Sequence, residues 1–123
     1  MKVEECMNKE AIAINFSENA IEALELMAEK RVSSLPVIDD NNCLVGFISK
    51  KDLATSTEEN LEKCTVEQIM TKEVLYVQSE DLLKKALNQM LDDAINRLPV
   101  VKGNKLVGIL TRDDLINYFY VCE

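Results

Sequence analysis

The sequence predicts an α+β fold built from two copies of one unit. Three observations carry this. Gly46-Phe47-Ile48-Ser49-Lys50-Lys51-Asp52 returns as Gly108-Ile109-Leu110-Thr111-Arg112-Asp113-Asp114. A shift of 63 places Val3-Glu4 on Val66-Glu67, Met7 on Met70, Ala23-Leu24 on Ala86-Leu87, and Leu35-Pro36-Val37 on Leu98-Pro99-Val100. The shift then falls to 62, bringing Leu44-Val45-Gly46 onto Leu106-Val107-Gly108. The lost residue lies in a polar turn (Asp39 to Asn42 against Lys102 to Lys105), where length changes are best tolerated.

Within each copy the order reads strand, helix, strand, strand, helix. Ala11–Ile14 and Val74–Val77 are short apolar runs suited to buried strands. Ala20, Ala23, Leu24, Met27 and Ala28 then share one helical face, behind a capping-box-like start at Asn19 and Glu22. Leu83, Ala86, Leu87, Met90 and Leu91 repeat that face, with Asp81 or Ser79 as the expected cap. Leu35–Ile38 and Leu98–Val101 are strands, each joined by its polar turn to the strand ending at Gly46 or Gly108, so each copy carries a hairpin. The closing helices run from about Ser49 to Ala54 and from about Thr111 to Tyr120. The division that follows is repeat one over 1–57, a polar linker over 58–64 and repeat two over 65–123, the second opening on a short capped helix at Thr65-Val66-Glu67-Gln68. A unit of about 60 residues lacks a two-sided core, so the sheets are expected to bury each other about a pseudo-two-fold axis.

Composition narrows the function classes. The chain has 123 residues, 47% of them apolar and 29% charged, as in an ordinary globular domain. No apolar run approaches the roughly 18 residues of a membrane span, and the first residues lack the apolar core of a signal peptide. The four cysteines are scattered and there is no histidine, which argues against a zinc site and fits reduced thiols in the cytoplasm. A net charge of −8 argues against nucleic acid. The charge is uneven, with 6 basic and 12 acidic residues over 1–60 against 8 and 10 over 61–123, so the second half is better suited to an anionic ligand.

Each repeated stretch ends an apolar run with a hydroxyl residue and places an aspartate three positions on. That spacing marks a helix N-terminus, where backbone N–H groups and the positive end of the helix dipole meet a polar ligand. Ser49 with Asp52 and Thr111 with Asp114 are therefore candidate ligand residues; the same pairs also serve as plain helix caps. A carboxylate only accepts hydrogen bonds, so Asp52 and Asp114 suit vicinal ribose hydroxyls and repel phosphate.

Two copies of Leu-Pro-Val, a polar turn, Leu-Val-Gly and Gly-x-x-Ser/Thr-x-x-Asp resemble the cystathionine β-synthase (CBS) domain pair, or Bateman module, over nearly the whole chain. The resemblance implies a non-catalytic regulatory sensor that binds AMP, ADP, ATP or S-adenosylmethionine in clefts between the repeats. It implies no required cofactor or metal, no membrane or nucleic-acid partner, a stand-alone module, and a homodimer formed through the helices, Tyr118, Phe119 and Tyr120 included. A basic residue before the Leu-Pro-Val strand reaches ligand phosphates in such pairs, which points to Arg97. Ser34 stands there in the first copy, leaving one cleft poor in phosphate partners. Asn96 and Ser34 are the expected polar lining, and Ala13 and Tyr76, on the flanking strands, the expected adenine contacts. With no histidine and only three glycines, neither a catalytic base with a partnered nucleophile nor a phosphate loop can be read. The alternatives are a ligand-free protein-interaction module and a thiol sensor using Cys43 or Cys64.

Overall fold

The computed structural model describes residues 1–93 and 95–121, with side chains through Tyr118. The chain forms two compact units, one comprising Ile12–Val74 and the other Met1–Ala11 together with the chain from Leu75 onward. In the first, β1 (Ile14–Asn15), α1 (Ala20–Lys30), β2 (Ser34–Ile38), β3 (Leu44–Ser49) and α2 (Lys50–Ala54) are followed by α3 (Glu58–Lys63) and α4 (Val66–Ile69). The second holds a 3-10 turn at Val3–Glu5, then β4 (Val77–Gln78), α5 (Leu83–Asp92), β5 (Arg97–Lys102), β6 (Lys105–Thr111) and α6 (Arg112–Val121). Each sheet has three strands, β1-β2-β3 and β4-β5-β6, the first pair parallel and the second antiparallel.

The repeat survives in fine geometry. Register shifts at Val37/Ile38 in one hairpin and at Val100/Val101 in the other. The turns differ by the residue the sequence drops. Asp39 Oδ1 accepts the Asn41 and Cys43 amides, each at 2.9 Å, in the longer turn. The shorter one runs through Gly103 at φ 67°, where glycine carries no Cβ penalty.

The segment opening each repeat packs with the other repeat's sheet. Met1 C=O accepts the Leu83 amide at 2.8 Å, and the Val3 amide donates to Asp81 C=O at 2.9 Å. One repeat later, Cys64 C=O accepts the Ala20 amide at 2.8 Å and the Val66 amide donates to Glu18 C=O at 2.8 Å. At the far end of each segment, Asn8 and Ile109 exchange backbone bonds of 2.9 and 3.0 Å, as Thr71 and Phe47 do at 2.8 and 2.9 Å. These straps pair the outer edges of β6 and β3 at one residue each, Ile109 and Phe47, whose N–H and C=O groups would otherwise be unpaired. Ile109 faces Pro99, and Phe47 faces Pro36, so the residue without an N–H sits where the hairpin partner bonds outward to a strap.

The exchange completes the cores. Val66, fully buried, joins Ile14, Ala23, Met27, Leu35 and Ile48 in one unit; Val3, also fully buried, joins Val77, Ala86, Leu98, Val100 and Leu110 in the other. Each compact unit thus has its own core, which a single repeat read from the sequence lacks. The straps also explain two glycines. A Cβ on Gly108 would lie 2.5 Å from Met7 Sδ and 2.9 Å from the Asn8 carbonyl oxygen, and one on Gly46 would collide with Met70 Sδ.

Several local expectations are revised. The two first strands are only Ile14–Asn15 and Val77–Gln78. The polar linker is helical over Glu58–Lys63, capped by Thr57 and anchored by buried Leu61. Asn19 does precede α1, but its side chain makes no cap bond. Leu82, not Asp81 or Ser79, is the N-cap of α5. In both helices a strap carbonyl takes the first amide, and the third donates to the N-cap's own carbonyl, Glu22 to Asn19 and Lys85 to Leu82, each at 3.0 Å. Asp81 instead accepts the Gln78 amide at 2.9 Å.

Candidate functional site

The two hydroxyl-x-x-Asp elements form matching corners where a strand turns into a helix. At the β3–α2 corner, the Ser49 amide donates to Asp52 Oδ2 at 2.9 Å and the Asp52 amide donates to Ser49 Oγ at 3.3 Å. The Ser49 hydroxyl also reaches Asp52 Oδ2 at 3.1 Å. At the β6–α6 corner, the Thr111 amide donates to Asp114 Oδ2 at 2.9 Å and the Asp114 amide to Thr111 Oγ1 at 3.1 Å. The intervening amides are taken too: Lys50 donates to Ser33 C=O at 2.9 Å and Arg112 to Asn96 C=O at 3.0 Å. Three amides at each corner are thus already bonded, fewer free N–H groups than the sequence suggested. The second carboxylate oxygen, Oδ1, has no partner at Asp52 or Asp114 among the described residues. Each pair is a helix cap that keeps one acceptor in reserve.

A hollow adjoins each corner. That beside Asp52 measures about 640 Å³ and is lined by Ser49, Lys51, Asp52, Thr55, Gln68 and Thr71, among others. That beside Thr111 measures about 340 Å³ and is lined by Asn96, Arg97, Thr111, Arg112 and Asp113. Its most informative member is Arg97, which begins β5 in register with Thr111. Arg97 Nε is buried with no hydrogen-bond partner. Burial pulls the guanidinium below its usual value, and the Asp114 carboxylate works against that fall. A half-buried cation with an unspent donor beside a hollow is suited to an anionic acceptor.

The remaining expected residues fall into two groups. Asn96 lines the Thr111 hollow, as expected of polar lining. Ser34 faces Ser49 in the β2–β3 register but does not line the Asp52 hollow. Ala13 lines a different hollow, of about 470 Å³, with Glu18, Glu22, Glu25 and Glu29. Tyr76 is about half exposed, at 49%, and lines none of the three hollows. Tyr118 packs against the second core, while the side chains of Phe119 and Tyr120 lie outside those described. Gln68 and Thr71 carry no site signal in the sequence, yet the strap of the second repeat brings them to the Asp52 hollow. The signal was the Val-x-x-x-Met opening, visible as a repeat but carrying no hint of which sheet it joins.

The CBS domain pattern matches residues 3–58 and again 66–121. The chain belongs to the CBS domain family. Among solved CBS structures, that of CBSX2 in complex with AMP is 34% identical, with a TM-score of 0.87 over 98% of this chain and 97% of that one. The CBS domain pair of protein MJ0100, in complex with 5′-methylthioadenosine and S-adenosyl-L-methionine, is 26% identical, with a TM-score of 0.82 over 100% of this chain and 98% of that one. A curated relative, the CBS domain-containing protein CBSCBSPB1 of Arabidopsis thaliana, is 35% identical over 81% of this chain but only 19% of its own length. The chain spans about a fifth to a third of the first curated relatives it matches. The CBS matches begin at Val3 and Val66, so each includes its strap, whereas each compact unit holds the other repeat's strap. Among the described residues no helix is long and apolar enough to cross a membrane.

Proposed function

We propose that this CBS pair is a regulatory module that binds an adenosine-containing ligand, AMP, ADP, ATP or S-adenosylmethionine, and catalyses no reaction on it. The observation that carries the reading is Arg97: a half-buried guanidinium with an unpartnered Nε, within electrostatic reach of Asp114 and on the wall of the Thr111 hollow. In this reading Asp114 Oδ1 accepts a ribose hydroxyl while Oδ2 holds the cap, and Arg97 takes the phosphate, with Arg112 and Asn96 as polar lining. Ser49 and Asp52 form the corresponding sugar site, with Ser34 where the arginine would be, so that corner suits a ligand of little negative charge. Ala13 and Tyr76 are assigned to the adenine. CBS pairs of similar fold, solved with AMP and with S-adenosylmethionine, support the ligand class. The absence of any histidine supports a non-catalytic role. We place the module in the cytoplasm, as a homodimer.

Thermal unfolding with AMP, ADP, ATP, S-adenosylmethionine and NAD tests this. A ligand at 100 times its dissociation constant stabilises the fold by about 2.7 kcal/mol, a readable rise in midpoint. No rise with any of them favours a ligand-free interaction module. The exposed Leu82 and Leu91, 63% and 65% accessible, are the observation that speaks for that second reading.

A further inference from the structure

The N-terminal strap is seated against the very corner assigned to the ligand. Three consecutive residues hold it there. Cys6 Sγ donates to the Asp114 carbonyl oxygen at 3.5 Å, Met7 covers Gly108, and Asn8 exchanges two backbone bonds with Ile109, two residues before Thr111. The seat is shallow: only Val3 of the strap is fully buried, while Cys6 and Met7 are partly exposed and Met1 is 50% accessible. Beyond Asn8, residues 9–13 belong to no helix or strand, and Lys9 and Glu10 are exposed. A segment with so little buried apolar surface opens at a lower free energy than the whole fold. The β6–α6 turn it braces is the one whose geometry sets the Thr111–Asp114 box.

We propose that the strap Met1–Asn8 opens and closes as a local unit, and that a ligand held at the Thr111–Asp114 corner closes it. The inference rests on the adenosyl-ligand reading and adds the moving part. The strap is followed by residues 9–11, which end its unit before Ile12. Coupling of strap and ligand is reciprocal: whatever unseats the strap weakens the ligand by the same factor.

Amide hydrogen exchange on the full chain tests this, with AMP and S-adenosylmethionine as the probes and the thermal midpoint as a separate measure of binding. The amides of Asn8 and Ile109 report the strap; that of Leu110, paired with Leu98 inside the sheet, reports the core. Without ligand, Asn8 and Ile109 are expected to exchange faster than Leu110. A probe at 100 times its dissociation constant is expected to slow them up to about 100-fold. Strap amides as slow as Leu110 in the free protein would overturn the proposal, because the strap then does not open by itself. A raised midpoint with unchanged strap exchange would overturn it while leaving the ligand reading intact. An unmoved midpoint with both probes removes the ligand reading, and the proposed closure with it.

Discussion

Thr111 and Asp114 hold each other through two backbone amides, at 2.9 and 3.1 Å, and the bonds use only one of the two Asp114 carboxylate oxygens. The cap and the proposed sugar contact therefore fall on different oxygens of one side chain. Asp114→Ala removes both roles, whereas Asp114→Asn keeps an acceptor for the Thr111 amide. Urea unfolding without ligand is expected to show a loss of about 1 kcal/mol for Asp114→Ala and a smaller one for Asp114→Asn. Equal losses in the two variants would mean that the charge, rather than the bond, caps α6.

Gly108 and Gly46 each lie under a methionine of a strap. Gly108→Ala is expected to cost about 1–3 kcal/mol by overpacking, and Gly46→Ala less, because only the flexible Met70 side chain must give way there, both measured as a lowered unfolding midpoint. Combining Gly108→Ala with Met7→Ala should recover part of the loss, since the thioether is what the new methyl meets. The carbonyl of Asn8, 2.9 Å from that methyl, limits the recovery. Full additivity of the two costs would place the strain elsewhere.

Arg97 is held at a cost to the fold, because burial disfavours its charged form. With the folded pKa lowered, the unfolded chain binds this proton more tightly. The penalty is therefore present at neutral pH and is relieved only as pH rises through the folded value into the alkaline range. Arg97→Leu should leave the ligand-free protein at least as stable as the parent. The same variant should lose far more affinity for ATP than for adenosine. Equal losses for both would remove Arg97 from the phosphate role.

Ser79 is buried, 3% accessible, and its Oγ has no hydrogen-bond partner. An unsatisfied hydroxyl in a packed core is a liability. Ser79→Ala is therefore expected to be neutral or to stabilise by up to about 1 kcal/mol, read by urea unfolding. A loss of stability would instead reveal a partner for the hydroxyl, such as a bound water.

Much of this fold was legible because its signals are local. The hairpins follow from Leu-Pro-Val, a polar turn and Leu-Val-Gly, and the cap at each corner from a hydroxyl and an aspartate three residues apart. Even the one-residue change in shift falls in the turn that differs in the structure, Asp39 to Asn42 against Gly103. What could not be read is long-range. Nothing in Met1–Asn8 says that it serves the sheet of the second repeat, because each strap's apolar pattern fits either sheet equally well. The bonds that start α1 and α5 are long-range for the same reason, since Cys64 and Met1 supply carbonyls to the first helical amides from far along the chain. The short first strands are a further case: Ala11 to Ile14 is apolar enough for a strand, but only Ile14 and Asn15 find a partner in β2.

The most direct test is a calorimetric titration of AMP into the wild-type chain and into Asp114→Ala, with folding of both checked by their unfolding curves. Saturable binding to the wild type, weakened about 10- to 150-fold in the variant, is expected from losing about 1.5–3 kcal/mol of charge-assisted hydrogen bonding to ribose. Equal affinity in the two proteins would contradict the assignment of Asp114 to the sugar.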